Sequence, residues 1–112
     1  GARVVAATVT VGDVKELQAL GDGMRERLGS GAAVLAASLG DGKHTMLAVV
    51  TDDLRDRGVR ADALIREVAA IAGGRGGGKP HMAQAGIPDA AQIPAALAAV
   101  PDVVERMLGS SR

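Results

Sequence analysis

The sequence of 112 residues contains no phenylalanine, tyrosine or tryptophan. Proteins that bind single-stranded RNA or DNA usually stack bases on aromatic rings, which contributes about 1–3 kcal/mol per base. That mode of binding is excluded here, and so is an aromatic cage around a cationic ligand. The core must therefore be built from Val, Leu, Ile, Met and Ala, whose side chains bury less area per residue.

Cysteine is also absent, which excludes a disulfide framework and thiolate chemistry and fits a cytoplasmic protein. The two histidines, His44 and His81, cannot form a zinc centre without further strong ligands, and no serine has a base pattern beside it. No apolar run approaches the ~18 residues of a membrane span, and no secretory signal is visible. We expect no catalytic residue, no metal, no cofactor in this domain and no membrane contact.

The formal charge is zero, since 13 basic residues balance 13 acidic ones. The field of the whole molecule therefore cannot drive strong nucleic-acid binding, and an anionic partner would need a local basic patch. The length fits one domain over residues 1–112. Because the first residue is not methionine, we expect either a piece of a longer protein or a protein with a processed start.

The first half of the chain predicts three strands. Val4–Val11 is β-branched with one polar face, as in a strand near a sheet edge. Two apolar runs, Ala32–Leu39 and His44–Thr51, are joined by Gly40–Lys43, whose Asp-Gly pair indicates a hairpin. Neither run has a polar face, so we expect this hairpin at the centre of the sheet, covered on both sides.

A helix is predicted between the first strand and this hairpin. Asp13 is a suitable N-cap, with Glu16 three residues later as in a capping box, and Gly29 is a natural stop. Gly21 and Gly23 each cost a helix about 1 kcal/mol, so we expect its middle to be thin or bent.

The second half predicts a charged connector over Asp52–Arg60, a helix over Ala61–Ala72 and a short fourth strand over Pro80–Ala85. Two short helices follow, Pro94–Ala99 and Pro101–Leu108, each with a proline in its first turn. The fold class is α/β: a single domain with a mixed sheet of about four strands, in the order βαββαβα, with helices packed on it.

Between the second helix and the fourth strand, five of the six residues Gly73–Gly78 are glycine, each costing about 0.5–1 kcal/mol relative to alanine. A Walker A motif is excluded because Pro80 stands where a hydroxyl must hold Mg²⁺. A Rossmann motif is excluded because its next glycine falls on Lys79. Two interpretations remain: an anion-binding nest of glycine amides flanked by Arg75 and Lys79, or a flexible connection with a glycine cap.

The stretch Gly73–Gly86, Gly-Gly-Arg-Gly-Gly-Gly-Lys-Pro-His-Met-Ala-Gln-Ala-Gly, resembles the signature of the C-terminal domain of bacterial alanyl-tRNA synthetases, the DHHA1 type. Residues Asp89–Leu97 resemble its continuation. His81 departs from the family, which has aspartate there, and Ile87 and Pro88 replace a Gly-Thr-like pair. The aminoacylation and editing domains and the helical arm of that family are not seen in this sequence.

The resemblance implies a DHHA1-like fold and a non-catalytic domain that contacts the elbow of alanine-specific tRNA and helps to couple aminoacylation with editing. Its partners would be that tRNA, the rest of the synthetase chain and, in the full-length protein, a second copy. The expected RNA-binding residues are Arg75, Gly76, Gly77, Gly78, Lys79, His81 and Gln84. Two alternatives stay open: the substrate-recognition domain of a DHH-type phosphoesterase, and a dimerisation or packing module.

Overall fold

A computed structural model describes residues 3–40 and 42–110. Their elements, in chain order, are β1 (Arg3–Thr10), α1 (Val14–Leu28), β2 (Gly31–Ser38), β3 (His44–Val50), α2 (Asp52–Asp56), α3 (Ala61–Ile71), β4 (Arg75–Gly78), β5 (Met82–Gly86), a 3₁₀ turn (Ala90–Gln92) and α4 (Ile93–Ser110). The α/β class with a mixed sheet is confirmed.

The sheet has five strands, in the order β1-β2-β3-β5-β4. β1 runs parallel to β2, and the other neighbours are antiparallel. The predicted number of four strands was one too few, because the glycine stretch itself forms β4. β1 lies at one edge, as its polar face indicated.

The predicted hairpin of β2 and β3 is confirmed, with both strands buried over nearly their whole length. The Leu39 N–H donates to the carbonyl of Lys43 at 2.8 Å, while Asp41 of the connecting turn lies outside the described residues. Helices cover both faces of this hairpin, which explains why neither run has a polar side.

The core has two layers, one on each face of the sheet. On one face, α3 and α4 enclose the larger cluster, whose biggest side chains include Val34, Met46, Leu54, Leu64, Ile65 and Val68. On the other face, α1 covers β2 and β3 through Leu17 and Leu28, which pack with Leu35 and Leu47. α1 leaves the sheet less covered on the side of β4 and β5, where a groove opens.

The predicted N-cap of α1 is confirmed, since Asp13 Oδ1 accepts from the Glu16 N–H at 2.8 Å. The Glu16 carboxylate accepts in turn from the Gly12 N–H at 3.0 Å. Asp13 therefore satisfies an amide of the first helical turn, and Glu16 holds the residue before the N-cap. The helix ends at Gly29, with φ of 66°. It is continuous through Gly21, which is buried against the sheet: a Cβ there would lie 2.4 Å from Leu47 Cδ2.

Two predictions about the helices were wrong. The charged connector contains the short helix α2, which buries Leu54 completely. The two short C-terminal helices form one helix, α4, with Pro101 inside it. Pro101 removes one backbone hydrogen bond, but it lies on the exposed side, and the buried stripe continues across it. This stripe is Ile93, Ala96, Val100 and Val104.

Candidate nucleic-acid interface

The glycine stretch folds into a hairpin with the strand that follows it. β4 pairs with β5 in antiparallel register, with Gly77 opposite Gln84. The turn is closed between Lys79 and Met82, whose N–H groups donate to each other's carbonyls at 3.0 and 3.2 Å. The stretch is therefore a strand and not a flexible connection, because a neighbouring strand is there to pair with it, although a glycine does cap α3 at Gly73.

The amides of the glycines do not converge on one point. Those of Gly73 and Gly74 donate to the Ala70 and Ala69 carbonyls, at 3.1 and 2.8 Å, and complete the end of α3. Since Lys79 and Met82 form a hydrogen-bonded pair, the alternation of an antiparallel ladder also assigns the Gly77 amide to β5. The same alternation turns the N–H and C=O groups of Gly76 and Gly78 toward the free edge. The anion nest is therefore not formed, and the stretch presents the open edge of a strand instead.

Packing explains most of these glycines. A Cβ on Gly76 would lie 2.2 Å from the Gln84 carbonyl oxygen, and one on Gly74 would lie 2.5 Å from the Gly86 oxygen. At Gly78, φ is 154° and a Cβ would lie 2.9 Å from the Met82 oxygen. Gly77 is different, because a Cβ there would meet nothing within 4 Å. Its missing side chain keeps a surface open.

That surface is one wall of a groove between α1 and the β4–β5 hairpin. The groove encloses about 310 Å³ and is lined by Gln18, Gly77, Gly78, Lys79, His81, Met82, Ala83 and Gln84. On it, Gln18 Nε2 donates to Gln84 Oε1 at 2.8 Å. Most of the predicted site residues therefore line one cavity. Gln18 was missed, because nothing in its local sequence reveals that α1 faces β5.

The tip of the hairpin is fixed by its own backbone. The Pro80 carbonyl accepts from the Ala61 N–H at 2.8 Å, and the His81 carbonyl accepts from the Val50 N–H at 3.1 Å. These two bonds join the turn to the start of α3 and to the end of β3. Lys79 and His81 are therefore carried by a backbone that is held in place at both turn positions.

His81 lies in a cationic environment. Burial lowers the pKa of its imidazole, and the nearby charges of Arg25, Arg55 and Lys79 lower this pKa further, against a smaller opposing effect of Asp22. The two arginines come from α1 and α2 and were not among the predicted site residues. They are far from the glycine stretch in sequence, so the sequence alone did not indicate that they lie near His81.

Arg75 begins β4 and is not part of the groove lining, and His44 lies away from the groove. Arg75 and Lys79 are both exposed and stand at the two ends of the β4 glycines. His44 begins β3, whereas His81 adjoins the other end of that strand, about 20 Å away. Within residues 3–40 and 42–110, no group of three or more His, Cys, Asp or Glu side chains could hold a metal ion.

The acidic residues after β3 make local contacts. The Asp53 carboxylate accepts from the Ser30 hydroxyl and from the Thr51 hydroxyl, the latter at 2.6 Å, and these bonds lower the pKa of the carboxyl. Asp52 pairs with Arg55. In the described part of the chain, no helix is both long and apolar enough to cross a membrane.

Comparison with known proteins identifies the family. The DHHA1 domain model matches residues 1–106. The alanine–tRNA ligase of Roseiflexus castenholzii is 48% identical over 95 residues, which are 85% of this chain and 10% of that protein. The alanine–tRNA ligase of Geobacillus thermodenitrificans is 46% identical over 97 residues, 87% of this chain and 11% of that protein. This chain spans about a tenth of the length of these curated relatives.

A solved structure agrees with this match. The C-Ala domain from Aquifex aeolicus alanyl-tRNA synthetase superposes with a TM-score of 0.76 at 27% sequence identity, over 94% of this chain and 90% of that one. The resemblance inferred from the glycine stretch is thereby confirmed. The chain belongs to the DHHA1 domain family, in the form that alanyl-tRNA synthetases carry at their C-terminus.

Proposed function

We propose that this chain is the non-catalytic tRNA-binding domain of an alanine–tRNA ligase in the cytoplasm. In this proposal it contacts the elbow of alanine-specific tRNA through β4 and the groove beside it. By holding the tRNA there, it helps the aminoacylation and editing domains of the same chain to share one substrate. The relatives reported above support the ligase context, since all of them are alanine–tRNA ligases.

The observation that carries the proposal is the open backbone of β4 at Gly77. Folded RNA is recognised mainly by its shape, its phosphates and its 2′-hydroxyls, none of which requires an aromatic ring. A strand edge without side chains lets an exposed base pair approach the peptide plane. The N–H and C=O groups that Gly76 and Gly78 turn toward the free edge match a 2′-hydroxyl, which is both donor and acceptor.

Charged and polar side chains around this edge fit the same ligand. Arg75 and Lys79 can pair with phosphates on either side of the contact. The hydrogen-bonded Gln18 and Gln84 offer carboxamide donors and acceptors on the groove wall. Two phosphate contacts release few counterions, so we expect log K to fall with log[salt] at a slope of about −2.

The test compares binding of full-length tRNA with binding of an acceptor-stem minihelix that lacks the elbow. We expect tighter binding to the full tRNA, and we expect Arg75→Ala and Lys79→Ala each to lower its affinity and flatten its salt dependence. Equal binding of tRNA and minihelix would refute elbow recognition. Sedimentation with and without tRNA addresses the other open interpretation, a dimerisation or packing module, for which tRNA would not change the sedimenting species.

A further inference from the structure

A second cavity lies where β5 ends, beside the start of β3. It encloses about 470 Å³ and is lined by Gly42, Lys43, His44, Thr45, Gly86, Ile87 and Pro88. None of these lining residues carries a carboxylate, whereas Lys43 and His44 bring basic side chains. Among charged ligands, this lining therefore favours an anion.

The strand register places this cavity next to the groove. Gly86 lies opposite Arg75 of β4 on one side and opposite Thr45 of β3 on the other. Arg75 and Gly77 are two residues apart in β4, so they face the same side of the sheet. Gly86 follows Gln84 of the groove wall by about 7 Å along β5. The groove and the cavity therefore share one face, and Arg75, which does not line the groove, lies beside the cavity.

Gly86 keeps this part of the sheet open. Its φ is not positive, and a Cβ there would meet nothing within 4 Å. Neither the backbone conformation nor the packing therefore requires a glycine at this exposed position. A strand position without a side chain allows a ligand to approach the backbone closely, as Gly77 does in the groove.

The hydroxyl group of Thr45 has no partner in the described part of the chain. Thr45 is only 8% exposed and lines the cavity, and no described residue forms a hydrogen bond with its side chain. The buried hydroxyl of Thr51 is different, because it accepts from the Gly31 N–H and donates to Asp53. A buried hydroxyl without a protein partner is costly, and a ligand in the cavity would satisfy it.

We propose that this cavity binds the RNA backbone phosphate that Arg75 contacts, with the Thr45 hydroxyl and Lys43 as further donors. This inference rests on the proposed function and extends its interface from Gly77 to Gly86. Phosphate oxygens accept hydrogen bonds, and those from cationic groups are the strongest. The open backbone at Gly86 allows the RNA strand to lie against β5 between the groove and the cavity.

The first experiment removes the hydroxyl and keeps the shape of the side chain. Thr45→Val should weaken tRNA binding about tenfold, because a hydrogen bond to a charged group is lost. Its urea midpoint should not fall, since no described residue bonds to that hydroxyl. Thr10→Val makes the same change at an exposed position of β1, at the other edge of the sheet, and should leave tRNA binding within twofold. Equal tRNA affinities of the two variants would overturn the phosphate site.

A second experiment tests whether Arg75 and Thr45 contact the same phosphate. In an Arg75→Ala background, Thr45→Val should weaken tRNA binding by less than about threefold, because groups that share one partner are not additive. The same loss in both backgrounds would show two independent contacts and overturn the shared site.

A third experiment compares two equal changes of net charge. Lys43→Gln should weaken tRNA binding about fivefold, whereas Arg66→Gln, at an exposed position of α3, should stay within twofold. Equal effects would overturn the phosphate site while leaving elbow recognition intact. Failure of the unmodified chain to prefer tRNA over the minihelix would instead overturn the proposed function and this inference with it.

Discussion

Neighbouring glycines of β4 should respond in opposite ways to the addition of one methyl group. A Cβ added at Gly76 and one added at Gly77 would lie on opposite faces of the sheet. The Gly76 face meets the backbone of β5, whereas the Gly77 face opens into the groove. Gly76→Ala therefore tests the packing of the hairpin, and Gly77→Ala tests whether RNA approaches its bare backbone.

The cost at Gly76 follows from distances to atoms that cannot rotate away. Its Cβ would lie 2.2 Å from the Gln84 oxygen and 2.6 Å from the Ala85 Cα, about 1 Å or more inside ordinary contact. β5 is itself held by β3, so β4 must move and strain its own hydrogen bonds to β5. With each bond worth about 0.5–1.5 kcal/mol net, we expect a loss of about 2 kcal/mol.

At Gly77 the same change meets open space, and alanine restricts the unfolded chain. We expect the free energy of unfolding to stay equal or to rise by about 0.5 kcal/mol. The added methyl nevertheless stands on the groove wall, where a close-fitting ligand would have to move outward. A misfit of about 1 kcal/mol corresponds to about fivefold weaker tRNA binding.

Urea denaturation and tRNA binding measured on both variants separate the two effects. Gly77→Ala should keep the stability of the unmodified chain and lose affinity. If it binds tRNA with unchanged affinity, the close approach of RNA to this backbone is refuted. If Gly76→Ala is as stable as Gly77→Ala, the packing argument for the hairpin is refuted instead.

Two further predictions concern α1 and His81. Gly21→Ala should destabilise the fold by up to about 2 kcal/mol, because the clash with Leu47 outweighs a helix-propensity gain of about 1 kcal/mol. At Gly23 an added Cβ would meet nothing within 4 Å, so Gly23→Ala should stabilise the fold by about 1 kcal/mol. Equal urea midpoints for the Gly21→Ala and Gly23→Ala variants would contradict both predictions. The pKa of His81 is lowered in the fold, so the unfolded chain binds more protons below about pH 6.5. The free energy of unfolding should therefore decrease as the pH is lowered below this value. His81→Gln should remove this part of the pH dependence. If lowering the pH from 7.5 to 5 reduces the urea midpoint equally in the variant and in the unmodified chain, the prediction is contradicted.

Local signals predicted those elements whose cause lies within a few residues. The cap of α1 depends on Asp13 and Glu16, and its end depends on the left-handed conformation at Gly29. The β2–β3 hairpin follows from two apolar runs around a short turn. In each case the residues that determine the structure are neighbours in sequence, so no knowledge of the tertiary fold is needed.

The errors arose where a distant partner decides the structure. The residues of β4 have almost no intrinsic strand propensity, and they form a strand because β5 lies beside them with Ala83 and Ala85 facing the glycines. α4 continues through Pro101 because the apolar stripe on either side packs on the same core. α2 is too short to show a periodic pattern, and Leu54 alone anchors it.

The site was predicted in part for the same reason. Lys79, His81 and Gln84 were found because they adjoin the glycine stretch in sequence. Gln18, Arg25 and Arg55 lie 18 or more residues before it, and they reach it only because β5 inserts between β3 and β4. Sequence reasoning had no means to predict this strand order, and hence none to predict the wall that α1 contributes.

The structure also changes which observation supports an RNA-binding function. The sequence alone left two explanations for the glycine stretch, an anion-binding nest or a flexible connection with a glycine cap. Gly73 and Gly74 close α3, and Gly76 and Gly78 pack against β5, so these four are required by the fold alone. Of the five glycines in residues 73–78, only Gly77 has neither a packing neighbour nor a positive φ to explain it. The case for RNA contact at the groove therefore depends on Gly77, whose replacement by alanine should leave the fold intact and so test binding without altering stability.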